Sequence, residues 1–92
     1  MNYGQIHLTP EELDNFARVL EQFSNQLDES TKTLNNNLQQ LGDTWRDPAF
    51  AEFDEEFNNT RQNIDNFIKI ADEHVAFLRR KAEASRVARD QR

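Results

Sequence analysis

Few residues in this chain could do chemistry. Glu52, Asp54, Glu55 and Glu56 make an acidic cluster that could hold a divalent metal or act as a general acid and base. The stretch has helical composition, and adjacent helix positions point in different directions, so these carboxylates diverge instead of converging on one ion. Carboxylates near a helix start are also what the helix dipole favours. His7 and His74 could meet only if the chain folds back on itself, and Asp72-Glu73-His74 lacks the Glu-x-x-His spacing of metal sites in helical bundles. Cysteine is absent, which removes disulfides and thiolate metal sites. A Gly-rich phosphate loop and a nucleophile elbow are absent too. The sequence reads as a non-enzyme with no cofactor and no metal.

Charge narrows the partners. Residues 1–44 carry net −5, residues 45–77 net −5 and residues 78–92 net +4, within a total of −6. An acidic body argues against nucleic acid as the main partner. The basic end is expected to be a solvated helix terminus, where cations suit the dipole. No apolar run exceeds the four residues Val75–Leu78, so nothing is expected to insert in a membrane. The start of the sequence lacks a basic segment followed by an apolar one, so no cleaved signal peptide is expected.

The elements that must position any site are two helices. Thr9-Pro10-Glu11-Glu12 is a helix start, with Thr9 as N-cap, Pro10 in the first turn and Glu12 completing a capping box. Leu8 and Leu13 are placed to staple it, and residues 1–8 form a short lead-in. Apolar residues then recur at Leu13, Phe16, Leu20, Phe23, Leu27, Leu34 and Leu41, with Ser30 and Asn37 filling the same 3-4 rhythm. That spacing predicts a helix over about 10–41 packed on another helix. A turn over about 42–47 follows. Asp47-Pro48 opens a second helix, expected over about 48–82, with the seam Phe50, Phe53, Phe57, Thr60, Ile64, Phe67, Ala71, His74 and Leu78. Residues 83–92 are expected to fray as a basic tail. The two helices make one all-α antiparallel hairpin over residues 1–92, with Ser30 and Thr60 sharing a polar layer. Trp45, the only tryptophan, is expected to sit over the ends of both helices.

The second helix is apolar beyond its seam. Ile68, Val75 and Ala82 flank it on one side, Ile70 and Phe77 on the other. Val19 and Leu38 do the same on the first helix. Each large side chain left in water forgoes about 1.5–3 kcal/mol of burial. The hairpin is therefore expected to associate into a four-helix bundle. The partner surface is expected at Ile64, Phe67, Ile68, Ile70, Phe77 and Leu78.

Together the lead-in QIHLTPEELDNFA, the helix end LQQLGDTW and the opening PAFAEFDEEF resemble the WXG (Trp-x-Gly) family, over roughly residues 5–84. These are small helical hairpins of bacterial type VII (ESX-type) secretion. The resemblance implies dimerisation into an antiparallel four-helix bundle and export without a cleaved signal. It also implies service either as a substrate or as partner to a larger effector such as an LXG-type toxin, with a secretion ATPase in the background. The turn motif maps to Trp45, Arg46, Asp47 and Pro48, followed by the aromatic Phe53. Asp47 stands where the motif has glycine, so the chain is a divergent member. A Tyr-x-x-x-Asp/Glu export signal often follows the second helix in this family. Here the only tyrosine is Tyr3, and Arg86 stands four residues before Asp90.

Three readings follow. The first is a small type VII secretion partner that binds the helical N-terminal region of a larger exported effector. The second is a self-associating secreted homodimer. The third is a cytoplasmic coiled-coil scaffold unrelated to secretion. The chain is expected in the cytoplasm, or outside the cell after export. A membrane-active toxin fits poorly, because the polar face of the second helix is acidic.

Overall fold

The computed structural model describes residues 8–90. Most of the expected lead-in, with Tyr3, Gly4 and His7, lies outside the described residues, as do Gln91 and Arg92. Helix α1 spans Pro10–Gly42, 33 residues, and α2 spans Pro48–Asp90, 43 residues. They form an antiparallel hairpin 68 Å long and 14 Å in its thinnest dimension. That thickness is little more than one helix diameter, so each helix has only the other to bury against.

Each helix starts on a proline behind a capping side chain. Thr9 Oγ1 accepts from the Glu12 backbone N–H at 3.1 Å, and Pro10 has no N–H to leave unpaired. Leu13 is buried but Leu8 is largely exposed, so the expected staple does not shield it. At α2, Asp47 Oδ1 accepts from the Ala49 N–H at 2.9 Å, directly ahead of Pro48. Three of the four intervening residues fold on carbonyls of the last α1 turn. Asp43 N–H donates to Gln40 O, and Thr44 and Trp45 N–H both donate to Leu41 O.

The interior departs from the expected seams. On α1 the inward row is Ala17, Ser24, Thr31 and Leu38, with Leu13 at its start. Asn35 and Gly42 continue it, half-buried. Of the expected row, Leu13 is buried and Leu20 and Leu27 are half-buried, while Phe16, Phe23, Ser30, Leu34, Asn37 and Leu41 lie one residue earlier than the inward row and are exposed. One residue is about 100° of rotation, so the large side chains face away from α2's axis. On α2 the inward row is Phe50, Asp54, Phe57, Arg61, Ile64, Ile68, Ala71, Val75, Leu78 and Ala82. Five of the nine expected seam positions are kept, while Phe53, Thr60, Phe67 and His74 are exposed. Ile68, Val75, Ala82 and Leu38, expected as flanks, are seam residues. The Ser30/Thr60 layer does not form, because both are exposed.

Small side chains explain the choice. Ala17 and Ala82 are wholly buried and Ser24 nearly so. They let the backbones approach closely, which two rows of phenylalanine would prevent. The buried polar groups are satisfied: Ser24 Oγ donates to Asp72 Oδ1 at 3.2 Å, and Thr31 Oγ1 donates back to Leu27 O at 2.7 Å. Among the described residues no buried side-chain polar atom lacks a partner.

Helix α2 also outruns its expected end near residue 82, and the tail expected to fray is helical to Asp90. Three arginines fasten it to the start of α1. Arg79 pairs with Glu21 through two bonds of 3.1 and 3.0 Å, Arg86 with Asp14, and Arg89 with Glu11 at 3.1 Å. Side chains lean toward the N-terminus of their own helix. In antiparallel helices the arginines and carboxylates therefore lean toward each other, a reach that apolar periodicity does not register.

Candidate functional site

The seam sets which side chains are left outside. Phe16, Val19, Phe23, Leu34 and Leu41 on α1, and Phe53, Phe67, Ile70 and Phe77 on α2, all expose two-fifths or more of their surface. All but Val19 line shallow grooves along one face of the hairpin. Phe23 and Phe67 meet edge-on across the helices with ring centroids 6.1 Å apart. Phe16, Leu20, Phe67, Ile70 and His74 line one shallow groove toward the open end. Leu34, Leu41, Trp45 and Phe53 line another toward the turn. Between the two lie Ser30, Thr33 and Asn37 of α1 and Thr60 and Asn63 of α2, all exposed and polar. The surface is thus two apolar patches separated by a polar waist.

The turn closes the second patch. Trp45 is half-buried and stacks edge-on against Phe50, centroids 5.3 Å apart. Phe50 in turn packs on Gly42. A Cβ there would come within 2.6 Å of the Phe50 ring, so this glycine provides space, not an unusual backbone angle. Asp47, at the motif's glycine position, has no positive φ. It caps α2 instead. Arg46 and Pro48 are exposed, and Phe53 lies parallel to Phe57 with 6.4 Å between centroids.

Of the six side chains expected at the partner surface, Phe67, Ile70 and Phe77 stand exposed. Ile64, Ile68 and Leu78 are half-buried in the seam row. The spacing reading passed over Phe16, Phe23, Leu34 and Leu41 as surface residues, because their 3-4 rhythm placed them in the hairpin's own seam. Their size was the signal, since small residues on α1, Ala17, Ser24 and Thr31, leave room for the larger row on α2.

Other candidates separate. Among the described residues no three His, Asp or Glu side chains gather as a metal site. His74 Nδ1 lies 3.0 Å from Ile70 O, in its own helix. No described helix is long and apolar enough to cross a membrane. Arg86, where the family's export tyrosine would fall relative to Asp90, is tied to Asp14. That contact, before any nearby charge, raises the pKa of its guanidinium.

A family model, WXG100, described as proteins of 100 residues with WXG, matches residues 5–87. An uncharacterized protein of Clostridium acetobutylicum is 30% identical over 64 residues, covering 70% of this chain and 67% of that protein. Among solved structures, the wild-type secreted protein EsxB of Bacillus anthracis matches with a TM-score of 0.78 at 26% identity, covering 89% of this chain and 94% of that one. Its selenomethionine-labelled form matches with a TM-score of 0.79 at 25% identity, covering 91% and 96%.

Proposed function

Because the chain belongs to the WXG100 family of small helical proteins of the type VII secretion type, we propose that it serves as a helical partner in type VII export. It packs its apolar face against a second helical hairpin to complete a four-helix bundle. One such hairpin is the helical N-terminal region of a larger exported effector, of which an LXG-type toxin is an example. The chain then helps present that cargo to the secretion ATPase. A self-associating secreted form uses the same face.

The observation that carries this reading is the apolar face itself. Nine large side chains half in water are expensive for a monomer: each forgoes on the order of 1 kcal/mol at the exposures seen. A second layer of helices on that face is the economical cover. The half-buried Trp45 and exposed Phe53 line one groove with Leu34 and Leu41, which supports a partner that touches the motif directly.

The test is export and pairing together. The chain should appear in the medium only when the secretion ATPase is intact. Phe67→Asp should abolish both that appearance and co-purification with the hairpin partner, while far-UV circular dichroism keeps the helical signal. Export undiminished in an ATPase deletion would sink the reading and favour a cytoplasmic scaffold.

A further inference from the structure

One titratable side chain stands among the large apolar ones. His74 lines the open-end groove with Phe16, Leu20, Phe67 and Ile70, and a neighbouring groove with Glu73 and Phe77. The turn-end groove has no such group: Leu34, Leu38, Leu41, Trp45 and Phe53 share it with the uncharged Asn37. The two apolar patches therefore differ in kind. An imidazole changes its charge close to neutral pH, and nothing in the turn-end groove does.

The ring has little to set against a positive charge. Its Nδ1 lies 3.0 Å from Ile70 O, where an N–H on that nitrogen donates to the carbonyl. The neutral ring then has no hydrogen on Nε2, and covering that edge costs far less than covering an ion. A second proton puts a donor and a full charge there. On α1 the facing residues are Phe16 and Leu20, with Glu12 one turn before Phe16. On α2, Glu73 points about 100° away around the helix. Asp72 accepts from Ser24, and Lys81, two turns on, carries charge of the same sign. No ion pair among the described residues involves the ring.

Resting on the reading that this face takes a second helical hairpin, we propose that His74 is a pH switch on that pairing: the neutral ring is covered with the open-end patch, and the protonated ring releases it. Water solvates the imidazolium while the face is open. A second layer of helices strips that water, and this chain supplies no carboxylate in its place. Pairing thus favours the unprotonated ring. Affinity is full at neutral pH and falls as pH drops through the range in which imidazole takes its proton. The hairpin itself does not follow, because its cross-helix carboxylates Glu11 and Glu21 are held below their ordinary range and stay ionised there. The molecule parts from its partner and keeps its fold.

The test uses whichever assembly the chain forms. A tagged copy is made in its native cells alongside the untagged chain, so an affinity resin recovers either a second copy or a different hairpin. The recovered complex is diluted in a sedimentation series at about pH 7.5 and about pH 5.5. The dissociation constant should rise about ten-fold or more at the acid value, since each proton excluded from an interface changes affinity about ten-fold per pH unit once the free ring is charged. His74→Gln, uncharged at both values, should hold it within about two-fold. His7→Gln, at the only other histidine, should behave as the parent. A parent complex equally tight at both values, or a His74→Gln complex that weakens as the parent does, would overturn the switch and leave the pairing standing. Tighter pairing in acid would overturn it as well, because the imidazolium would then have met a carboxylate of the partner. A chain recovered alone, and monomeric in sedimentation at about pH 7.5, would overturn the pairing and the switch with it.

Discussion

At the scale of single residues, the turn works by cap and space. Asp47 accepts from the Ala49 N–H, which satisfies one of the first free donors of α2. Replacing it with alanine should cost about 1 kcal/mol, whereas Asp47→Gly, which restores the motif's glycine, should cost only a few tenths. Thermal melting of the two variants checks the order, and equal shifts would mean that the side chain is not capping. Gly42 is a subtler case. Gly42→Ala gains about 1 kcal/mol of helix propensity but drives a Cβ to 2.6 Å from the Phe50 ring. The ring can swing, being half-buried, so the two effects nearly cancel in stability. The loss should show in Trp45, whose edge-on contact with Phe50 is broken. Its fluorescence should shift to the red with little change in melting temperature. These local devices were legible in the sequence, because Thr9-Pro10 and Asp47-Pro48 are start signals whose meaning does not depend on the rest of the fold. The burial of Trp45 was not. It depends on where Phe50 lies, and that depends on the rotation of α2.

At the scale of elements, both helices and their antiparallel pairing followed from periodicity, but the rotation of α1 did not. Rows at 16, 23 and 30 and at 17, 24 and 31 have the same 3-4 rhythm. Hydrophobicity prefers the first and close packing prefers the second. The hairpin takes the second, with Ala17, Ser24 and Thr31 inside, and keeps the larger side chains for another layer. The open end was missed for a different reason. Beyond Ala82 it is held by charge, through Arg86–Asp14 and Arg89–Glu11, with Arg79–Glu21 one step inward. Contact with the Arg79 guanidinium holds the Glu21 carboxyl below its ordinary range. Glu11 is lowered by a backbone hydrogen bond and by Arg89. Depressed carboxyl values stabilise the fold above the unfolded value, near 4.5, and that contribution fades as pH falls through the folded values. Between pH 6 and 8 the open end should therefore be indifferent to pH. Below about pH 4.5 the last turns of α2 should exchange amide hydrogens faster while the turn end holds. Arg86→Gln with Arg89→Gln should produce the same local loosening at neutral pH. Uniform exchange along α2 in that variant would show that the arginines do not clamp it.

At the scale of the whole molecule, a hairpin 14 Å thick has one seam and no interior beyond it. The middle of α1's side of the seam is built from small residues, Ala17, Ser24 and Thr31, while large ones, including Phe23, Leu41, Phe53 and Phe67, form a second apolar surface with a polar gap at its centre. If affinity alone mattered, the gap would be filled. Burying a leucine where Thr60 now stands would add roughly 1.5–3 kcal/mol on each side of an interface. Thr60→Leu should therefore tighten self-association by ten-fold or more, read as a fall in the dissociation constant in a sedimentation dilution series. The same change removes the penalty for sliding. In the parent chain, disulfides between single cysteines introduced along the face should concentrate at few pairs of positions, and adding Thr60→Leu should spread them across neighbouring ones. Tighter pairing with the cross-links still confined to one register would show that the phenylalanines and leucines fix the alignment by shape, with the waist as bystander. Weaker pairing would mean that Thr60 makes a favourable polar contact across the interface. The expected combination, higher affinity with lower specificity, would identify the waist as the element that trades binding strength for a single arrangement.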